Sequence, residues 1–133
     1  MTTVLDAGCF YSSDDGEIVM VGFADQQYDT KRFVLLQRGK RISNRERALG
    51  QGDVHVTVDD QSRSMYGGIR LARFLETKLI IKLKKGCGRR LGTDEEIMIR
   101  FSADDTQRAE LLARMRELFA HRPHTFVVEV TAG

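Results

Sequence analysis

From Thr77 to Phe101 the chain alternates apolar and polar residues twice, on either side of a glycine-rich link. Thr77, Leu79, Ile81 and Leu83 fall on one side of an extended backbone. Lys78, Lys82 and Lys84 fall on the other, with Ile80 out of step among them. Ile97, Ile99 and Phe101 repeat the pattern against Met98 and Arg100. Because strand side chains point alternately to the two faces, this period predicts two edge-forming strands, each with one buried face. A buried sheet face requires a second layer to cover it.

The run after Phe101 supplies that layer. Ser102 stands at a cap position with Asp105 three residues later, and Leu111, Leu112, Met115, Leu118 and Phe119 recur at helical spacing. Asp104 and Asp105 suit the positive start of a helix, His121 and Arg122 its negative end, and Pro123 stops it. A helix over about 103–120 is therefore expected. Further strands are read at 17–24, at 32–37, where Phe33-Val34-Leu35-Leu36 is apolar on both faces, and at 54–58. Asp59-Asp60-Gln61-Ser62 turns the chain into an extended run at 65–71, and Thr125 to Val130 closes it as a last strand. Residues 1–15 show little pattern. The fold class expected is α+β: one mostly antiparallel sheet of about six strands, with one long C-terminal helix packed on a face, as a single domain over 1–133.

At 133 residues, 41% hydrophobic and 30% charged, the composition is that of a globular chain able to bury a core without disulfides or metal. No apolar run approaches the roughly 20 residues of a membrane span. Met1 to Asp6 has neither the basic nor the apolar part of a signal peptide, so a cytoplasmic location is expected. Cys9 and Cys87 match no metal or redox spacing and read as free thiols. The net charge of +2 conceals an asymmetry. Residues 31–90 carry 16 Lys and Arg against 5 Asp and Glu, a net +11, and the remainder carries −9. Either the two parts neutralise each other, or the basic part faces an acidic partner or nucleic acid.

The excess is densest between residues 38 and 53. Arg38, Lys40, Arg41, Arg45 and Arg47 lie on a nearly apolar-free connection ending in Gly50-Gln51-Gly52. A structureless connection this long in a small domain is a functional or disordered loop, and these five residues are the candidate partner-binding group. Interleaved aromatics, typical of single-strand nucleic-acid binders, are missing from 31–47 apart from Phe33. A small basic nucleic-acid-binding module is the alternative reading.

Catalytic, cofactor and metal sites are not expected. Gly86-x-Gly88-x-x-x-Gly92 resembles a dinucleotide pattern, but only Thr93-Asp94-Glu95-Glu96 separates it from the next strand, which leaves no room for the required helix. Tyr66-Gly67-Gly68 reads as a bulge or an aromatic packing site. His121 and His124 have no Cys or third His nearby, and the histidines and cysteines form no nucleophile constellation. Asp14-Asp15, Asp59-Asp60 and Asp104-Asp105 fall at turns or at the helix start. An enzyme with a site assembled from distant residues is the weakest of the three readings.

Arg32-Phe33-Val34-Leu35-Leu36-Gln37-Arg38, Met65-Tyr66-Gly67-Gly68-Ile69, Leu79-Ile80-Ile81-Lys82-Leu83, and Arg90-Leu91-Gly92 before Ile97-Met98-Ile99-Arg100-Phe101 form an ordered set. That set resembles the immunity protein 10 family, small proteins encoded beside bacterial polymorphic toxins. The resemblance covers about 31–119. The chain departs from it in the basic run 38–52, where more acidic residues are expected, and at Gly86-Cys87-Gly88, where a more helix-favouring segment is expected. What the resemblance implies is a protein that binds a cognate toxin encoded nearby and blocks it through shape and charge complementarity.

Overall fold

Ten strands in two sheets, rather than about six in one, form the described part of the chain. In this computed structural model, which describes residues 1–129, the strands are β1 (Thr2–Asp6), β2 (Cys9–Asp14), β3 (Ile18–Ala24), β4 (Phe33–Gly39), β5 (His55–Val58), β6 (Asp60–Tyr66), β7 (Ile69–Phe74), β8 (Lys78–Leu83), β9 (Glu96–Arg100) and β10 (Phe126–Val128). The helices are α1 (Asn44–Ala48), α2 (Cys87–Leu91) and α3 (Asp105–Leu118). The α+β class stands. Two of the strands beyond the pattern, β1 and β2, are half-exposed edge strands rich in Thr, Ser and Asp, so they carry no apolar alternation.

One sheet has the order β1-β9-β8-β7-β10, and the other is the meander β2-β3-β4-β5-β6. Pairing is antiparallel except for β1 on β9 and β10 on β7. Strand β8 lies at the centre of its sheet with β9 beside it, so neither is an edge. That placement explains Ile80: flanked by Met98 and Arg73 in register, it is buried although it sits on the lysine side of the strand. The expected extended run 65–71 is broken in two. Gly67, with φ +72, turns the chain out of the meander and into the other sheet, a conformation glycine adopts without strain.

Register lines up the core. Val21, Leu36 and Val56 form one row of the meander; Leu5, Ile99, Leu79 and Phe74 form one row of the other sheet. All seven are buried. The two sheets meet through phenylalanines. Phe101, just past β9, has its ring centroid 5.8 Å from Phe10, 5.5 Å from Phe23 and 5.9 Å from Phe74. Phe126 continues the chain of rings to Phe119, stacked at 5.7 Å.

Helix α3 covers the inner face of β2, β3 and β4 with Leu111, Met115 and Leu118. Its start differs from expectation. Asp104, not Ser102, is the N-cap: its carboxylate accepts from the Gln107 amide at 2.8 Å, and the Gln107 side chain accepts from the Asp104 amide at 3.0 Å. A carboxylate cap followed by Gln gives the same reciprocal bonds as the Ser-to-Asp arrangement, two residues later. Pro123–Thr125 form a 3-10 turn, so the last strand starts at Phe126. Val130, the expected end of that strand, lies outside the described residues.

Candidate partner-binding face

The basic connection is not structureless. Ser43 and Glu46 form a capping box, with Ser43 Oγ accepting from the Glu46 amide at 3.1 Å, and this starts the single-turn helix α1. Ser-x-x-Glu was legible in the sequence, but no apolar periodicity follows it to mark a helix. The connection over 40–53 forms a hook that is tied at both ends. The Lys40 amide donates to the Glu17 carbonyl at 2.7 Å, prolonging the β3–β4 pairing, and Arg38 Nε donates to the Gly52 carbonyl at 2.8 Å. Asp53, where the hook runs into β5, accepts from His121 Nε2 at 2.8 Å and pairs with Arg122 at 3.3 Å.

These ties sort the five candidate residues. Arg38 is half-buried at the base, where burial lowers its pKa despite the nearby Asp53 charge. Lys40 is held by Asp14 at 2.6 Å. Arg41, Arg45 and Arg47 are exposed and have no ion pair or side-chain hydrogen bond among the described residues. The structure therefore groups three free guanidiniums on the hook and uses the other two to hold it.

The hook borders the face of the meander that points away from α3. Register brings Gln37, His55 and Tyr66 into one row on that face. Gln37 Nε2 and His55 Nδ1 are 3.3 Å apart, and the His55 and Tyr66 rings lie 4.6 Å apart between centroids. Burial lowers the His55 pKa, which favours the neutral ring. With Arg41, Ile42 and Glu46 this row lines an open hollow of about 720 Å³. Sequence reasoning placed a strand over 54–58 but missed Gln37 and Tyr66 as neighbours of His55. The only signal was register between strands, which a single sequence does not show.

The other singled-out residues have structural partners. The glycine-rich link carries the short helix α2, and the Glu95 carboxylate accepts from the Gly86 amide at 2.7 Å and the Gly88 amide at 2.9 Å. The two backbone donors are thus bound by a side chain of the same chain, which becomes more acidic for it. His121 is engaged by Asp53. Among the described residues no group of three His, Cys, Asp or Glu is placed to hold a metal ion, and no helix is long and apolar enough to cross a membrane. Cys9 and Cys87 are free. The two oppositely charged parts of the sequence do touch and partly neutralise each other, through Lys40–Asp14 and Arg73–Glu129. Arg41, Arg45 and Arg47 remain outside that neutralisation.

A family model described as Immunity protein 10 matches residues 5–109, from β1 to the first turns of α3. That span takes in both sheets apart from β10 and the first three residues of β1, and it reaches further toward the N-terminus than the motifs quoted above. No curated protein matches the chain.

Proposed function

The chain belongs to the immunity protein 10 family, and on that premise we propose that it neutralises a cognate bacterial toxin by binding it directly in the cytoplasm. The toxin is the product of a gene of the same polymorphic toxin system. Binding alone does the work, so no catalytic residue is required of this chain.

The observation that carries the contact surface is the group of three free guanidiniums on a braced hook. Arg41, Arg45 and Arg47 present positive charge without a competing internal partner. Bracing the backbone that carries the charges before the encounter lowers the ordering cost of association. Charges at the rim of an interface act chiefly on the rate of encounter. Arg38 and Lys40 contribute by fixing the hook, and an acidic surface of the toxin is its complement.

Co-expression with the neighbouring toxin gene should restore growth, and tagged protein should retain the toxin in a pull-down. Replacing Arg41, Arg45 and Arg47 by Glu should slow association about tenfold or more at low salt and flatten its salt dependence. Unchanged association kinetics would remove the hook from the interface. Retention on an unrelated oligonucleotide, lost steeply with salt and without any toxin complex, would favour nucleic-acid binding instead.

A further inference from the structure

On the outer face of the meander lies a second open trough of about 600 Å³ across β2, β3 and β4, lined by Tyr11, Gly22, Phe33 and Leu35 among others. Gly22 forms its floor. This residue sits in mid-strand, where glycine is a poor choice because it orders backbone without contributing packing. Its value lies in what a side chain would block. A Cβ there would come within 2.8 Å of the Tyr11 ring and 3.5 Å of Leu35 Cδ1. Tyr11 thus lies over bare backbone, with its hydroxyl donating to Met20 Sδ at 2.8 Å, and yet it remains 52% exposed. The result is an apolar trough with one wall pinned and its floor kept open.

The trough and the hook are two ends of one surface. Leu35 and Gln37 are successive outward residues of β4, and Gln37 begins the row that leads through His55 and Tyr66. From Leu35 to Arg41 an extended chain covers about 20 Å. Two acidic groups in the intervening hollow hydrogen-bond to backbone amides. Asp15 accepts from the amides of Glu17 and Ile18, and Glu46 from that of Ser43. Both keep their charge, so with Glu17 the hollow sets three carboxylates beside Arg38 and Arg41, and Arg45 and Arg47 lie outside its lining, on the hook itself.

Resting on the toxin-binding reading above, we infer that this face receives one extended segment of the toxin. It would place a large apolar side chain in the Tyr11–Gly22–Leu35 trough and carboxylates on Arg41, Arg45 and Arg47. The trough supplies affinity by desolvating the apolar anchor, and the hook supplies speed and register. An acidic segment without the anchor would meet the hook and leave quickly. An apolar segment without the charges would lack orientation.

The test uses full-length protein and the purified product of the neighbouring toxin gene, with association and dissociation measured separately. Tyr11→Ala and Leu35→Lys alter exposed or half-exposed positions, and thermal melts establish that each is folded. Each is expected to weaken the complex at least 30-fold, mainly through faster dissociation. Gly22→Val, which fills the floor, should do the same. Toxin binding within threefold of the parent by folded Tyr11→Ala and Leu35→Lys would overturn the inference and leave toxin binding itself intact. Failure of the unaltered protein to bind the toxin would instead overturn the reading it rests on. A dimer of this chain that Leu35→Lys dissociates would assign the trough to a second copy and overturn the toxin segment.

Discussion

His121 Nε2 lies 2.8 Å from Asp53 Oδ1 and joins the segment after α3 to the foot of the basic hook. Burial works against the Asp53 carboxylate. The hydrogen bonds from His121 and the Val54 amide, with the charge of Arg122, outweigh it and hold the group below its ordinary value. Asp53→Ala should cost about 1 kcal/mol, the lower end for a charged hydrogen bond because the site is partly solvated. Hydrogen exchange should rise over residues 40–53 and stay unchanged in β8 and β9. A uniform rise through both sheets would show that the contact supports global stability rather than the hook.

Acid should destabilise the protein through its paired carboxylates. Asp14 is lowered to about 2, first by the Lys40 ammonium and then by the Gly16 amide. Asp6 is lowered by Arg100, Glu129 by Arg73, and Glu95 by the amides of Gly86 and Gly88. Their ordinary values are 3.8 for Asp and 4.5 for Glu, so the unfolded chain takes up these protons before the folded chain does. The stabilisation is complete above about pH 5 and is lost as pH falls through 4 towards 2. Urea midpoints measured from pH 7 down to 2 should follow that curve, and Lys40→Met should make its acid limb shallower. A midpoint unchanged between pH 5 and 2 would contradict the assignment.

Phe101 packs against rings from both sheets. Phe101→Ala should cost about 3–5 kcal/mol, as truncation of a buried ring leaves a cavity between layers that relax only partly. Phe101→Leu should cost clearly less. Denaturant unfolding followed by fluorescence and by circular dichroism would measure both. Equal, small losses would mean that the sheets do not depend on this contact.

A substitution in the glycine-rich link should act on stability. A Cβ on Gly88 would meet the carbonyl oxygens of Thr93 and Asp94 at 2.7 Å each. Gly88→Ala should therefore destabilise by about 1–3 kcal/mol, in the range of overpacked sites. Glu95→Ala should also destabilise, by freeing two amides from their acceptor. Thermal melts of the two variants decide this, and an unchanged midpoint for Gly88→Ala would show that the link yields.

Much of the fold was legible where apolar residues alternate, as in β5, β8 and β9, or run on continuously, as in β3 and β4. It was illegible in the polar edge strands β1, β2 and most of β6, whereas the apolar edge strand β10 was read. Thr2–Asp6 and Asp60–Tyr66 present polar residues because one side of each meets solvent. Asp60 and Gln61 read as part of a turn, yet they are strand residues, and the corner is Asp59 alone, with φ +62. A carboxylate tolerates that left-handed backbone better than most side chains. The five basic residues of the site were visible as charge. Their division into two braces and three free guanidiniums depends on Gly52 and Asp14, which are distant neighbours in sequence. Tyr11 lay in a stretch without pattern, and Gly22 in a run read as simply buried.

The parallel pairing of Thr2–Asp6 with Glu96–Arg100 has a kinetic consequence. The meander can close from neighbouring segments, whereas β1 finds its place only after about 90 further residues are available, at a high entropic cost of loop closure. In a refolding time course, amide protection should reach β3, β4 and β5 first and Thr2–Asp6 late. Until β1 docks, the outer edge of β9 is an unpaired row of backbone donors and acceptors. Such an edge invites pairing with another chain, so the slowest strand to arrive is also the one that guards the nascent protein against aggregation.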